Sequence, residues 1–310
     1  MGFETEVTLS GPYRRPVQML AEQTYDDHTS IHDESTAATL GLGGAPIEAP
    51  THFSQFDPLA VTLWGQEWFE HGCISIHFRT MVVEGEEVQA WLTARPGTRL
   101  AKANAAKLDG TQVLAGTASI GGPRDETELS KRLAAQPADP GPLHIIDQVE
   151  VGMAEEGVVV SIDHHTSNGN GYPFSLAAKL DAITEPHPWY TPEGGKSSPW
   201  GRAVLPMEMI SVLAHKAGGR WPVRTPSLGL FLDMEIALID GPVFVGQDYV
   251  MRKEIVGRGQ SRRTESYWTR STLTDMSTGR ETVSVLLHSG VFKDSYPGSD
   301  DPSPGHRQPL

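Results

Sequence analysis

The chain has 310 residues, 38% hydrophobic and 21% charged, with a formal net charge of −14, which suits one large or two ordinary soluble domains. The acidic balance argues against a nucleic-acid partner, which needs a basic face, but leaves room for a CoA or phosphate ligand held by a local cationic patch. A single cysteine, Cys73, excludes an intrachain disulfide and fits a reducing cytoplasm; no apolar run reaches the roughly 18 residues of a membrane span, and Met1–Glu6 lacks the basic and apolar regions of a signal peptide.

In chain order, the first informative segment is Tyr25-Asp26-Asp27-His28-Thr29-Ser30-Ile31-His32. It sets a carboxylate, Asp27, and an imidazole, His32, five positions apart with small polar residues between. A short helix from Asp33 to Leu40 follows, then the turn Gly41-Leu42-Gly43-Gly44 and Pro46-Ile47. Phe53, Phe56, Leu59, Ala60 and Leu63 recur at three- and four-residue steps and predict a helix from about Thr51 to Leu63. Strand patterns come next: Ile74–Phe78, Val82-Val83, Val88–Leu92, Leu100–Lys107 and Val113–Ile120, with a turn at Asp109-Gly110. Residues 124–142 read as a linker, charged and then Ala/Pro-rich, with a short helix at Glu126–Ala135. The second half repeats the plan: a helix over Met207–His215, then strands over Leu228–Leu238, Val243–Val256, Ser261–Leu273 and Thr282–Phe292, with a turn at Asp275–Gly279. The Pro/Gly/Asp-rich tail from Ser295 reads as disordered.

One helix followed by several long antiparallel strands, twice over, places the chain in the α+β class. The corresponding picture is a helix wrapped by a curled sheet, the hotdog fold, in two copies: a double hotdog with an N-terminal unit at 1–123, a linker at 124–142, a C-terminal unit at 143–294 and a tail at 295–310.

The first segment resembles the MaoC-like (R)-specific enoyl-CoA hydratases. That family carries G-D-x-N-P-x-H, an acid-rich helix, then P-I-x-H-G opening the central helix. Here Asp26-Asp27-His28-Thr29-Ser30-Ile31-His32, residues 33–40, and Pro46-Ile47-Glu48-Ala49-Pro50 follow the same order and spacing over roughly residues 15–65. The resemblance implies that Asp27 and His32 hold and activate a water. Three departures stand out. Thr29 and Ser30 replace the family's Asn and Pro, His28 adds an imidazole, and Pro50 replaces the Gly that opens the helix. Hotdog enzymes polarise a thioester carbonyl with backbone N–H groups at this helix start. Proline has no N–H, so Thr51 and His52 are the expected replacements. The altered carbonyl site turns attention to hotdog CoA thioesterases, a weaker resemblance with no tight motif to quote.

Asp27 and His32 are therefore the candidate catalytic residues, and His28, Pro50, Thr51 and His52 candidate substrate-binding residues. Asp27 also reads as an ordinary helix cap, and His28 as a solvated loop residue. The second half has no Asp–His pair at the matching place; Tyr190, Trp200 and Met207 are expected there to line a roomy pocket for a bulky acyl group, or else to be plain core. Arg252, Lys253, Arg258, Arg262 and Arg263 are candidates for CoA phosphates, or a solvated face. His164-His165, on opposite faces of a strand, do not suggest a metal site, and Ser167–Gly171 reads as a turn. No metal and no separate cofactor are expected, CoA being part of the substrate. The leading expectation is a cytoplasmic thioesterase, monomer or homodimer, hydrolysing a bulky acyl-CoA; stereospecific hydration of an enoyl-CoA by the same pair is the alternative, and a non-catalytic acyl-binding protein the second.

Overall fold

A computed structural model describes residues 5–25, 30–121 and 126–297. Period-two alternation makes the strands. In β3 (Val88–Ala94) the apolar positions Val88, Ala90, Leu92 and Ala94 are buried, and Gln89, Trp91 and Thr93 alternate with them on the other face. The other strands are β1 (Val7–Ser10), β2 (Gly72–Phe78), β4 (Leu100–Lys107), β5 (Gln112–Ile120), β6 (Val158–Val160), β7 (Gly229–Leu238), β8 (Tyr249–Gln260), β9 (Thr264–Asp275) and β10 (Glu281–Phe292). They form one antiparallel sheet of ten strands in the order β1-β3-β4-β5-β2-β7-β10-β9-β8-β6.

That order is a repeat. β1, β3, β4, β5 and β2 of the first half have β6, β8, β9, β10 and β7 as counterparts in the second, and the halves meet where β2 pairs with β7. At this seam Ile74 faces Ile236 and Ile76 faces Met234, all fully buried. The loops repeat too. An isolated bridge joins Pro46 to Val83 in one half and Val204 to Phe244 in the other. One residue later, the N–H of Ile47 donates to Val82 O and that of Leu205 to Val243 O, both at 2.8 Å. The α+β double-hotdog expectation holds.

The helices are α1 (Glu34–Thr39), α2 (Asp57–Trp64), α3 (Glu67–His71), α4 (Glu128–Ala134), α5 (Leu176–Ala182), α6 (Pro192–Gly195) and α7 (Met207–His215). Asp33 caps α1, its carboxylate accepting from Thr36 N–H at 2.9 Å. α7 has the predicted bounds, and its first eight residues are buried. The predicted first-half helix is broken instead: a 3₁₀ helix (Ala49–Gln55), then α2, then α3. Pro50 and Pro58 fall in the first turns of the 3₁₀ helix and of α2, where a missing N–H is tolerated but an earlier helix cannot run on through it. Pro50 is the second helical residue, not the first. Gly65, at φ 59°, closes α2. Val82-Val83 and the start of the predicted Val243–Val256 strand are bridge and turn, reversing at Gly85 (φ 91°) and Gly246 (φ 70°). The edge strands β1 and β6 were too short to signal themselves.

The linker straps the back of the sheet across both halves. The first N–H groups of α4 donate to Thr117 on β5 (3.2 Å, from Glu128) and Ser75 on β2 (2.9 Å, from Leu129). Arg132 reaches Asp233 on β7 at 2.9 Å, and the N–H groups of His144, Ile145 and Ile146 converge on the Glu265 carboxylate at 2.8–3.0 Å. The expected tail lies outside the described residues beyond position 297. Among the described residues, no helix is long and apolar enough to cross a membrane.

Close approach of β5 and β2 requires glycine at 116, where a Cβ would stand 2.0 Å from Ser75 O. Gly116→Ala is expected to destabilise the protein by about 1–3 kcal/mol, the usual range for overpacking. Urea denaturation checks this; an unchanged midpoint would show that the strands separate freely here.

Candidate active site

His32 is the residue of the motif whose chemistry is defined by its contacts. Its Nδ1 lies 2.5 Å from the carbonyl of Pro46, which also accepts from Gln18 Nε2 at 2.7 Å. A carbonyl only accepts, so Nδ1 carries the proton and Nε2 keeps its lone pair. Burial lowers the imidazole pKa from its ordinary value, against the opposing effect of the Pro46 hydrogen bond. His32 is thus held as a neutral base with its acceptor nitrogen facing away from the backbone. Ser30 fixes the approach: its buried hydroxyl donates to Gln23 Oε1 and accepts from His32 N–H at 3.1 Å. Asp27 and His28 lie outside the described residues.

The second half contributes directly to this loop. Thr24 N–H donates to Asn170 O (3.2 Å) and Gln23 Nε2 to Gly171 O (2.7 Å). The Ser167–Gly171 segment is therefore the docking surface for the motif, as well as a turn.

Two residues beyond Pro46 the chain enters a buried charge cluster. Lys179, on α5 and 2% exposed, places Nζ 3.0 Å from Thr51 Oγ1, 3.4 Å from Glu48 Oε2 and 3.0 Å from Glu208 Oε2. Burial lowers the ammonium's pKa, but the two carboxylates outweigh it and hold the group above its ordinary value. Burial raises both carboxylates despite Lys179, Glu208 to about 7. Glu48 Oε1 has no hydrogen-bond partner among the described residues. Thr51 and His52 are both buried. The N–H of Thr51 donates to Glu48 O at 3.1 Å and so is occupied. His52 is pushed down to about 4, by burial first and then by Lys179 and Lys107. Of the expected replacements for the N–H missing at Pro50, Thr51 has its own N–H engaged and presents a hydroxyl bound to Lys179.

The matching helix start in the second half is closed. Asp57 takes hydrogen bonds from Tyr190 OH (2.7 Å), Trp68 Nε1 (2.8 Å) and the backbone N–H of Met207, the first residue of α7. An internal carboxylate therefore occupies the positive end of α7. Burial raises Asp57 to about 6 in spite of these donors. Tyr190 and Trp200 pack edge-on against Phe69, and Met207 is 3% exposed in the main core. Tyr190 and Met207 are buried and Trp200 is half-buried, the packing that the plain-core reading of these three residues describes.

The five basic residues do not act as one patch. Lys253 is buried and donates to Ala217 O (2.8 Å), Arg258 donates to Val149 O (2.7 Å), and Arg252, Arg262 and Arg263 are exposed. His164 and His165 sit ring to ring at 4.7 Å and 85°; among the described residues no group of three or more His, Cys, Asp or Glu could hold a metal ion. Sequence reading missed Glu48, Lys179, Glu208 and Asp57. A signal existed for two of them: Lys179 within Leu176-Ala177-Ala178-Lys179-Leu180, and Glu208 within Met207-Glu208-Met209-Ile210, each a lone charge inside an apolar run.

No protein-family model matches the chain, and no curated protein matches it. Solved structures do. A protein assigned as a MaoC domain protein dehydratase from Chloroflexus aurantiacus is similar over 94% of this chain and 95% of its own, with a TM-score of 0.57 at 14% identity. The dehydratase domain of PpsC from Mycobacterium tuberculosis, solved with C12:1-CoA, gives 92% and 94% coverage, TM-score 0.48 and 12% identity. A conserved hypothetical protein of M. tuberculosis with a double hotdog fold gives 84% and 86%, TM-score 0.49 and 13%. The chain is a double-hotdog protein. Its fold is that of the MaoC-like proteins, and at this identity the likeness shows the fold alone.

Glu208 gives the cluster a measurable pH signature. In the unfolded chain its carboxyl loses its proton near the ordinary value of 4.5; in the folded protein it keeps it to about 7. Between these values the folded state holds more protons, so this group's contribution to stability falls as pH rises from about 4.5 to 7. His52, depressed to about 4, acts oppositely, its contribution rising with pH between about 4 and 6.5. Glu208→Gln removes the first effect and leaves the second. Its stability is expected to climb with pH across 4.5–7 more steeply than that of the unaltered protein, measured by denaturant unfolding; parallel profiles would mean that Glu208 ionises normally.

Proposed function

We propose that this protein adds water to an acyl-CoA thioester, and that hydration of an enoyl-CoA, or its reverse, is the better-supported reaction. The observation that carries the reading is His32: a neutral imidazole whose Nδ1–H is fixed on the Pro46 carbonyl, which leaves the lone pair on Nε2, in the position where the motif calls for a water-activating base. Asp27, five residues earlier, completes the pair in the resemblance. The acyl-CoA assignment is supported by the fold, shared with a protein assigned as a dehydratase.

In hydration, His32 Nε2 takes a proton from water as the water oxygen bonds to the β-carbon. The carbon–carbon π pair moves toward the thioester, and the α-carbon then takes a proton from the Asp27–His32 pair. The C–S bond survives. In hydrolysis the same water attacks the carbonyl carbon, and the thiolate leaves with a proton. Hydrolysis, the leading expectation from sequence, rests on Pro50, which removes one backbone donor at the helix start. The 3.1 Å engagement of Thr51 N–H removes another. The enolate of hydration and the tetrahedral oxyanion of hydrolysis both need such donors, at about 100- to 1000-fold each, so Pro50 does not favour hydrolysis over hydration, and the motif together with the fold shared with a protein assigned as a dehydratase favours hydration. Tyr190 and Trp200, packed edge-on against Phe69, lend no support to a bulky acyl group.

Incubation with crotonyl-CoA and with a saturated acyl-CoA separates the readings. Loss of enoyl absorbance without thiol release is expected; thiol release from the saturated ester would establish hydrolysis, and neither signal across chain lengths would leave an acyl-binding protein. His32→Ala and Asp27→Asn are each expected to lower kcat by about 10²- to 10⁴-fold, the range for a general acid–base group. Retention of full activity in both would remove the pair from the mechanism.

A further inference from the structure

The inference concerns the carbonyl end of the same reaction and rests on the acyl-CoA reading above. Adding water at the β-carbon puts negative charge on the thioester oxygen as an enolate, and adding it at the carbonyl carbon puts negative charge on that same oxygen. Either reaction needs a donor there. The first-half helix start lacks two of the usual donors: Pro50 has no N–H, and that of Thr51 is bonded to Glu48 O at 3.1 Å.

We propose that Lys179, supplied by the second half, is the group that polarises the thioester carbonyl in the first-half site. Three observations support it. Its Nζ already stands at the helix start, 3.0 Å from Thr51 Oγ1. It is held there as a cation by Glu48 at 3.4 Å and Glu208 at 3.0 Å, one carboxylate from each half. Its third partner is neutral: the bond to the Thr51 hydroxyl is the one that a carbonyl oxygen can replace while both ion pairs persist, leaving the hydroxyl free to become a second donor. The place is next to the water-activating residue, since Glu48 follows two positions after the Pro46 carbonyl that holds His32. An ammonium in a site of low dielectric interacts far more strongly with developing charge than it does in water.

Lys179→Met alone strands two buried carboxylates and invites misfolding, so the informative variant is Lys179→Met combined with Glu208→Gln, which removes one charge of each sign. Two measurements are made on it and on the unaltered protein. The first is steady-state turnover of crotonyl-CoA. With the fold intact by circular dichroism, kcat is expected to fall about 100- to 1000-fold, the cost of a lost oxyanion donor, with KM little changed. The second is the infrared stretch of ¹³C-labelled carbonyl in bound crotonyl-CoA, expected at lower frequency in the unaltered protein than in water, with that displacement lost in the double variant. A merely structural lysine would leave the carbonyl frequency where it was. Full turnover by the double variant, or an unchanged carbonyl displacement, overturns the assignment of Lys179 while the acyl-CoA reading stands. Absence of turnover of any acyl-CoA by the unaltered protein overturns that reading, and this inference with it.

Discussion

The ammonium of Lys179 is the contact on which the joining of the two halves turns. The β2–β7 seam makes one sheet out of two, but a sheet seam alone leaves the starts of the two central helices facing each other across the middle of the molecule. Glu48 and Thr51 come from one side, Glu208 from the other, and Lys179 lies between them at 3.0–3.4 Å, all essentially buried. Buried charges are costly unless paired and hydrogen-bonded. The arrangement is therefore intolerant: shifting one half relative to the other by an ångström or two would separate an ion pair away from water. Hydrophobic contacts across the same junction are far more forgiving of a small slide. The charge cluster and the β2–β7 ladder thus both resist a slide that apolar contacts alone would permit.

The near-symmetry of the chain makes the difference between its two helix starts meaningful. Matching bridges at Pro46–Val83 and Val204–Phe244 deliver the backbone to the same place in each half. In the second half, α7 is a regular helix whose positive end is neutralised by Asp57, with Tyr190 and Trp68 completing the shell. In the first half the helix opens as a 3₁₀ segment with Pro50 in its first turn, and the residue beside it is a cation. One end is saturated by an internal anion and has no capacity left for a ligand's oxygen. The other keeps a donor and, at Glu48 Oε1, a buried acceptor without a partner among the described residues. The division of labour is thus electrostatic as much as it is a matter of which half retains an Asp–His motif.

Much of this was legible in the sequence. α7, β4 and the late strands follow from periodicity, and the repeat follows from the matched order of helix, strands and hairpin turns. Where the reading failed, the reasons are physical. Prolines at 50 and 58 sit at positions that a helical apolar pattern does not penalise by counting, so one helix was expected where three segments form. β6 has three residues, too few for alternation to declare itself. Tyr190 and Trp200 read from sequence equally as pocket lining or as plain core, and only the structure shows both packed on Phe69. Of the Asp27–His32 pair, His32 has its Nδ1–H on the Pro46 carbonyl, and Asp27 lies outside the described residues. The Lys179 cation was invisible because its partners, Glu48 and Glu208, lie 131 residues away and 29 residues away in sequence, and no local pattern links positions so far apart.

The cluster's charge balance has its own consequence. Two buried carboxyl groups, Glu48 and Glu208, contact a single buried ammonium, and a third, Asp57, lies within electrostatic reach of Glu208. Fully ionised, they would leave the junction at −2, which an interior cannot sustain. Burial, the largest cause in both, raises Asp57 to about 6 and Glu208 to about 7, which lessens that charge. Near neutral pH, Glu208 stands close to half-protonated, within reach of the ammonium that Glu48 also holds. A proton can then be kept or released at the junction with little change in free energy. Glu208 thereby makes the charge of the junction depend on pH near neutrality, through the 3.0 Å contact that joins it to the Lys179 ammonium.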